Sequence, residues 1–359
     1  MRSESETHSR IESIGTYLPE KSVSTDDLLA RIDTGRLSAG KLPPLEELTG
    51  VGARRVHDDS EENYEDSLTL ATKAIQDCLA RSQYSVGEVD VIISVSITRT
   101  VGPERYAFEP SFAALLAEKI GAEQAIAFDI CNACAGMVTG IMVLDRMIRA
   151  GVARTGIVVS GEQITPIAET AVREITEKYD PQFASLSVGD SGACVLLDRA
   201  TDEADIIEYV DLMTSASYAE FCIGGPSRYS QGLAMYTDNK SMHTEERYLQ
   251  GITWYLDYLR ERGTDIDGEK LDFIIHHQFS ARALDYINAL LERESGRPAP
   301  ESLTVLERYG NTASTSHFVA LHDHLKRGTI APGSKVLIVP SASGMVYGHM
   351  SVRVSALKA

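Results

Sequence analysis

Apolar residues in this chain come in short runs, and the spacing of polar positions between them separates strands from helices. Val89-Asp90-Val91-Ile92-Ile93-Ser94-Val95-Ser96 is dense enough in apolar residues to predict a buried strand. The stretch before it, from about Asp66 to Ala80, predicts a helix, and Phe112 to Ile120 predicts another, ended by Gly121. The run Ala125-Ile126-Ala127-Phe128-Asp129-Ile130 then stops at the small residues Cys131-Asn132-Ala133, and Cys134 opens a long apolar helix. Met137, Val138, Ile141, Met142, Leu144, Met147 and Ile148 cover much of that helix's circumference, the pattern of a buried helix. Gly151 ends it, and Thr155-Gly156-Ile157-Val158-Val159-Ser160 predicts the next strand.

The second half repeats the plan. Lys270-Leu271-Asp272-Phe273-Ile274-Ile275-His276-His277 is similar to the strand beginning at Glu88, and Ser334 to Ser341 is similar to the strand beginning at Arg154. Two halves rich in strand–helix units predict an α/β fold built by internal duplication, with the boundary near Leu197–Ala204, hence halves 1–200 and 201–359. Active sites in such layers collect at strand ends, where Cys134, His277 and the loop after Pro340 all fall.

Cys134 is the first candidate for chemistry. A thiol at a helix start faces the positive end of the dipole, which favours the thiolate at neutral pH. The bland alternative is an inert buried thiol, and Cys131 is read as a small packing residue. Five cysteines are too few and too odd in number for a disulfide framework. The Cys131–Cys134 pair has no second CxxC and no histidine at zinc-finger spacing, so zinc is not expected. A formal net charge of −18 offers no basic stripe to nucleic acid, and makes docking of an acidic carrier protein depend on a local basic patch. No apolar stretch approaches the roughly 20 residues of a membrane span. Met1 to His8 lacks the apolar core of a signal peptide, so a cytoplasmic protein is expected. The run Glu61 to Asp66 reads as a solvated, acidic helix entrance.

Several segments together resemble the thiolase-fold condensing enzymes, specifically the β-ketoacyl-acyl-carrier-protein synthase III group. Ile14 to Lys21 is similar to its opening strand and turn, and Leu48-Thr49-Gly50-Val51-Gly52-Ala53-Arg54-Arg55 to its TGIxxRR segment. Phe128 to Gly136 resembles the nucleophile motif, with Cys134 as its cysteine, and Ser187-Val188-Gly189-Asp190-Ser191-Gly192-Ala193 resembles FGDGAGA. His276-His277-Gln278-Phe279-Ser280-Ala281-Arg282 resembles PHQANxR, and Tyr309-Gly310-Asn311-Thr312-Ala313-Ser314 resembles YGNTSAS. Alone, His277 reads as a core histidine and Asn311 as a turn residue. Their motif company makes them the expected catalytic histidine and asparagine.

The resemblance implies a thiolase-like five-layered αβαβα fold, a homodimer and a ping-pong reaction. Cys134 takes an acyl group from a thioester. His277 and Asn311 then stabilise the enolate left by decarboxylation of a malonyl- or β-ketoacyl-type thioester. Backbone amides of Cys134 and Ser343 hold the tetrahedral oxyanion. No metal or redox cofactor is implied, because loss of carbon dioxide drives the reaction. Acyl carrier protein is the expected partner, with coenzyme A thioesters as the other donor class.

Departures from the pattern bear on substrate. Pro44 and Leu48 stand where the family's DEWIVxRTGI stretch has an adenine-clamping tryptophan and arginine, which favours a carrier-bound donor. The loop GGGxTxG appears as Ala342-Ser343-Gly344-Met345-Val346-Tyr347-Gly348, which requires negative φ at the two lost glycines and lets Met345 and Tyr347 shape the acyl pocket. Ser280 replaces the supporting asparagine, and His276 replaces a proline and is read as capping the strand end. Arg282 is expected either to meet a phosphopantetheine phosphate or to be a solvated helix charge. These changes point towards fatty-acid-derived or polyketide specialised metabolism. The alternatives are acyl transfer from Cys134 to an oxygen or nitrogen nucleophile, a non-catalytic partner subunit, and, more distantly, a Cys131–Cys134 redox protein.

Overall fold

The computed structural model describes residues 8–38, 42–103 and 105–359; residues 1–7 of the polar N-terminal stretch read above lie outside that set. Two large sheets organise the described chain. In the first, neighbouring strands are Ser9–Tyr17, Ser191–Arg199, Thr155–Glu162, Val91–Ser94 and Ile126–Asp129. In the second they are Ile206–Thr214, Val346–Val354, Ser334–Val339, Phe273–His276 and Glu301–Ser302, with Ser341–Ala342 folding back onto Val346–Val354. Read in this order, each sheet has two antiparallel pairings followed by two parallel ones. One sheet is drawn from residues 9–199 and the other from 206–354, so the same topology is built twice.

Layering follows from which face of each strand is apolar. In Val91–Ser94, Val91 and Ile93 point into a central core while Ile92 points the other way, which is why the strand is apolar throughout. The central core holds Met137, Ile141 and Leu144 of helix Gly136–Arg149, together with Phe318 and Leu321 of helix Ser316–Lys326. Helices Ser67–Arg81 and Phe112–Ile120 cover the outer face of the first sheet, and Glu245–Glu261 and Ala281–Ser295 that of the second. The result is five layers, αβαβα. Among the described residues no helix is long and apolar enough to cross a membrane.

Helix Ser67–Arg81 lies directly on strand backbone. A Cβ at Gly15, Gly161 or Gly192 would sit 2.2 Å from the Cys78 nitrogen, 2.1 Å from the Ser67 oxygen and 2.2 Å from the Leu70 oxygen. These glycines belong to three adjacent strands, and Gly161 pairs with Gly192. Helix backbone cannot yield as a side chain can. Gly161→Ala is therefore expected to destabilise the fold by about 3 kcal/mol or more, read as a lower urea midpoint. An unchanged midpoint would show that the helix can lift off the sheet.

Each buried helix is entered through the same device. The 3-10 turn Ala133–Ala135 precedes Gly136–Arg149, and Ala313–Thr315 precedes Ser316–Lys326. The first alanine of each turn has positive φ, 44° at Ala133 and 55° at Ala313. Cys134 therefore does not open the α-helix, as the sequence pattern suggested. The helix starts two residues later at Gly136, whose Cβ position is only 2.9 Å from the Val95 carbonyl oxygen.

Candidate active site

Cys134, His277, Asn311, Ser343 and Met345 come from distant segments and line one cavity of about 930 Å³. Arg282 does not line it; this residue is exposed on the first turn of Ala281–Ser295, two residues beyond Ser280, which does. Cys131 is exposed and lies off the cavity lining, whereas Cys134 is half-buried within it.

Burial pushes the Cys134 thiol up, and the neighbouring Cys222 and Glu162 add to that shift. The helix start alone predicted a thiolate. Its surroundings, assembled from residues far away in sequence, favour the neutral thiol instead. Glu162 is itself buried, and burial raises its carboxyl despite dense hydrogen bonding. It accepts from the Ile97 and Thr98 amides at 2.9 and 3.1 Å, and from Ser160 and Ser314 hydroxyls at 2.9 and 2.5 Å. This one side chain thus ties the first sheet to the turn after Asn311.

His277 follows the end of strand Phe273–His276, its amide held by the Val339 carbonyl at 3.1 Å. Burial pushes its imidazole down to about 4, so the ring is neutral near pH 7. Its Nδ1 is 2.9 Å from Ser316 Oγ, and Phe279 stacks 5.9 Å from its centroid. His276, expected to cap the strand end, instead donates from Nε2 to Asn288 Oδ1 at 2.8 Å, bridging to helix Ala281–Ser295. Ser280 caps that helix by accepting from Ala283 and also donates to the Leu48 carbonyl at 2.7 Å.

Asn311 is fixed from two sides. The Ala313 amide donates to its Oδ1 at 2.9 Å, leaving the side-chain NH₂ for the cavity. Its backbone donates to Ser187 at 2.9 Å and accepts from Gly189 at 3.0 Å, joining the motifs of the two halves as a short parallel bridge. A Cβ at Gly189 would lie 2.3 Å from the Tyr309 oxygen, which accounts for glycine there. The acid of that motif, Asp190, is structural: it accepts from the Ile164, Thr165 and His57 amides at 2.7, 2.8 and 2.9 Å. In the glycine-poor loop 342–348, Ala342 and Ser343 avoid positive φ as their substitution demands, but Met345 takes a φ of 52°. Ala133, Ala313 and Met345 thus put left-handed alanyl and methionyl backbone beside three elements of the cavity, a concentration typical of working sites.

Sequence reasoning missed a wall of the cavity. The hairpin Cys222–Pro226 and Leu233–Thr237 contributes Cys222, Met235 and Tyr236, and its neighbourhood adds the cations Arg228 and Lys240. The available signal was an aromatic-rich stretch, including Tyr218, Phe221, Tyr229 and Tyr236, between the two predicted strand systems.

Buried histidines make a testable acid sensitivity. Burial, the leading cause in each case, holds His276, His277 and His322 near 4, against an ordinary value of 6.5. The unfolded chain binds these protons first, so stability is complete above pH 6.5 and is lost as pH falls towards 4. Each ring contributes roughly 3 kcal/mol over that window. Urea midpoints should fall steadily from pH 7 to 4.5; a flat profile would show that these rings protonate freely in the folded state.

Residues 128–215 match the family described as 3-oxoacyl-[acyl-carrier-protein (ACP)] synthase III, and residues 262–354 match its C-terminal part. Together the matches take in half the chain. The chain belongs to the synthase III family. As such it is a ketosynthase III-type, acyl-transferring condensing enzyme. A β-ketoacyl-[acyl-carrier-protein] synthase III from Deinococcus deserti is 27% identical over 346 residues, covering 94% of this chain and 89% of the relative. Another from Acidiphilium cryptum is 27% identical over 349 residues, covering 96% and 98%. Among solved structures, an OleA variant from Xanthomonas campestris aligns with a TM-score of 0.83 at 19% identity, covering 97% of this synthase III member and 98% of OleA. The 3-oxoacyl-[acyl-carrier-protein] synthase III of Aquifex aeolicus gives 0.78 at 22% identity, with 96% and 99% covered. These structural likenesses establish the thiolase fold of this family member.

Proposed function

We propose that this synthase III member acylates Cys134 and then performs a decarboxylative Claisen condensation. The observation that carries the reading is one cavity shared by a thiol, a neutral histidine and an asparagine whose amide oxygen is held by the Ala313 amide. In the first half-reaction the Cys134 sulfur attacks the donor thioester, and its proton leaves on the departing carrier thiol. In the second, a malonyl-type thioester loses carbon dioxide, and hydrogen bonds from His277 and Asn311 stabilise the enolate oxygen. The enolate carbon attacks the acyl-Cys134 carbonyl, whose oxygen is held by the backbone amides of Cys134 and Ser343. Collapse gives the β-ketoacyl thioester and a Cys134 thiolate, which takes a proton from water. The scheme needs no metal or redox cofactor.

The donor in this reading is carried on an acyl carrier protein. Of the two positions where an adenine clamp is lacking, Leu48 lines the cavity and Pro44 does not, while Arg228 and Lys240 on its wall and exposed Arg282 offer charge to a phosphopantetheine phosphate. The reading includes a cytoplasmic homodimer acting in fatty-acid-derived or polyketide specialised metabolism. Intact-protein mass spectrometry with acyl-carrier proteins and acyl-coenzyme A of matched chain length tests it. Carrier-bound donors are expected to load Cys134 at least about tenfold faster, a difference of 1.4 kcal/mol, and malonyl-carrier protein should discharge the adduct with release of carbon dioxide. Equal loading from coenzyme A sinks the donor assignment. Discharge only to an alcohol or amine would move the chain to acyl transfer, and no adduct at all would favour the partner-subunit alternative.

A further inference from the structure

Between His277 and the helix behind it stands one hydroxyl with two possible acceptors. Ser316 Oγ lies 2.9 Å from His277 Nδ1 and 2.9 Å from the Ala313 carbonyl oxygen, and it is fully buried. A serine has one hydroxyl proton, so it donates to one of these groups at a time. That choice decides what His277 can do. If Ser316 donates to Ala313, its oxygen receives a proton from Nδ1–H and a bare Nε2 lone pair faces the cavity. If it donates to Nδ1, the neutral ring carries its proton on Nε2.

Only the second arrangement suits an enolate oxygen, which needs a donor. Other contacts restrain the ring without setting its tautomer. Phe279 and His317 flank it at centroid distances of 5.9 and 5.6 Å, and the His317 Nε2 is directed to the Val339 carbonyl at 3.3 Å. Among the described residues Nε2 of His277 has no hydrogen-bond partner. Ser316 is thus the group through which the protein can specify the proton's position.

We propose that Ser316 is a positioning residue that donates to Nδ1 and holds His277 as the Nε2–H tautomer. This rests on the condensing reading above. It makes the turn Ala313–Thr315 and the residue that follows it responsible for both enolate donors: the Ala313 amide orients Asn311, and Ser316 sets His277. Tautomer control of this kind matters because a correctly placed ring with the proton on the wrong nitrogen is nearly as inert as no ring.

The test combines kinetics with ¹⁵N spectra of histidine-labelled full-length protein, the His277 signals being assigned with His277→Gln. The unmodified chain is expected to show protonated Nε2 and unprotonated Nδ1 for His277. Ser316→Ala should shift that ring towards Nδ1–H or a mixture, slow malonyl decarboxylation about 100-fold and leave the rate of Cys134 acylation within about twofold. Ser316→Thr, which keeps the hydroxyl, should restore the tautomer and most of the decarboxylation rate. A dominant Nδ1–H tautomer in the unmodified chain overturns the proposal, as does an alanine variant with unchanged spectrum and rate. If the unmodified chain never forms an acyl adduct, the condensing reading fails, and the spectra still decide whether Ser316 sets the ring.

Discussion

Cys134→Ala is expected to abolish acyl-enzyme formation, cutting condensation by about 10⁴-fold or more. The size of the effect follows from the lack of another thiol in the same setting. Cys131 is exposed and off the cavity lining, and Cys222, though it lines the cavity near Cys134, belongs to a hairpin strand and not to the turn that leads into the buried helix. Alanine is smaller and the site half-open, so the fold should be retained. Peptide mapping after incubation with an acyl-carrier donor reads the result. An adduct of undiminished yield on another cysteine would show that Cys134 is not the acyl acceptor.

His277→Ala and Asn311→Ala are expected to load at near-normal rates but to lose decarboxylation by about 10² to 10³-fold each. The reason is differential. In the proposed scheme neither side chain is required for transfer of the acyl group to sulfur, whereas both donate to an oxygen that becomes negative only when carbon dioxide leaves. The double variant should be little worse than either single one, because one donor alone leaves the enolate under-stabilised. Separate measurement of adduct formation and carbon dioxide release distinguishes the steps. An Asn311 variant with undiminished condensation would favour acyl transfer to oxygen or nitrogen.

Much of this architecture is legible in the chain because local physics and long-range packing agree there. Phe112–Ile120 has the predicted ends because Ser111 caps its start and Gly121, at a φ of 80°, closes it. Runs such as Val91–Ser94 read as strands because both faces meet packed layers. The state of Cys134 was not legible in the same way. A helix start is visible in sequence, but Glu162 and Cys222, which push the thiol up with burial, are 28 and 88 residues distant in the numbering. The wall formed by 222–237 escaped for a related reason: its residues are half-exposed and irregularly spaced, so no period marks them. Met345 illustrates the limit from the other side. Its position beside Gly344 marked the loop, yet its left-handed backbone emerges only when Ser341–Ala342 folds back onto Val346–Val354.

The twin entrances to the buried helices carry a last consequence. Cys134 and Ser314 hold the same seat, the middle of a 3-10 turn whose preceding alanine is left-handed. In one copy the seat opens on the cavity; in the other its hydroxyl donates to Glu162, at the end of a strand of the first sheet. The likeness of the two turns is therefore one of backbone and does not extend to what their middle side chains meet. One turn presents a thiol to the cavity and the other braces a buried carboxylate, so two like pieces of backbone hold side chains with unlike surroundings.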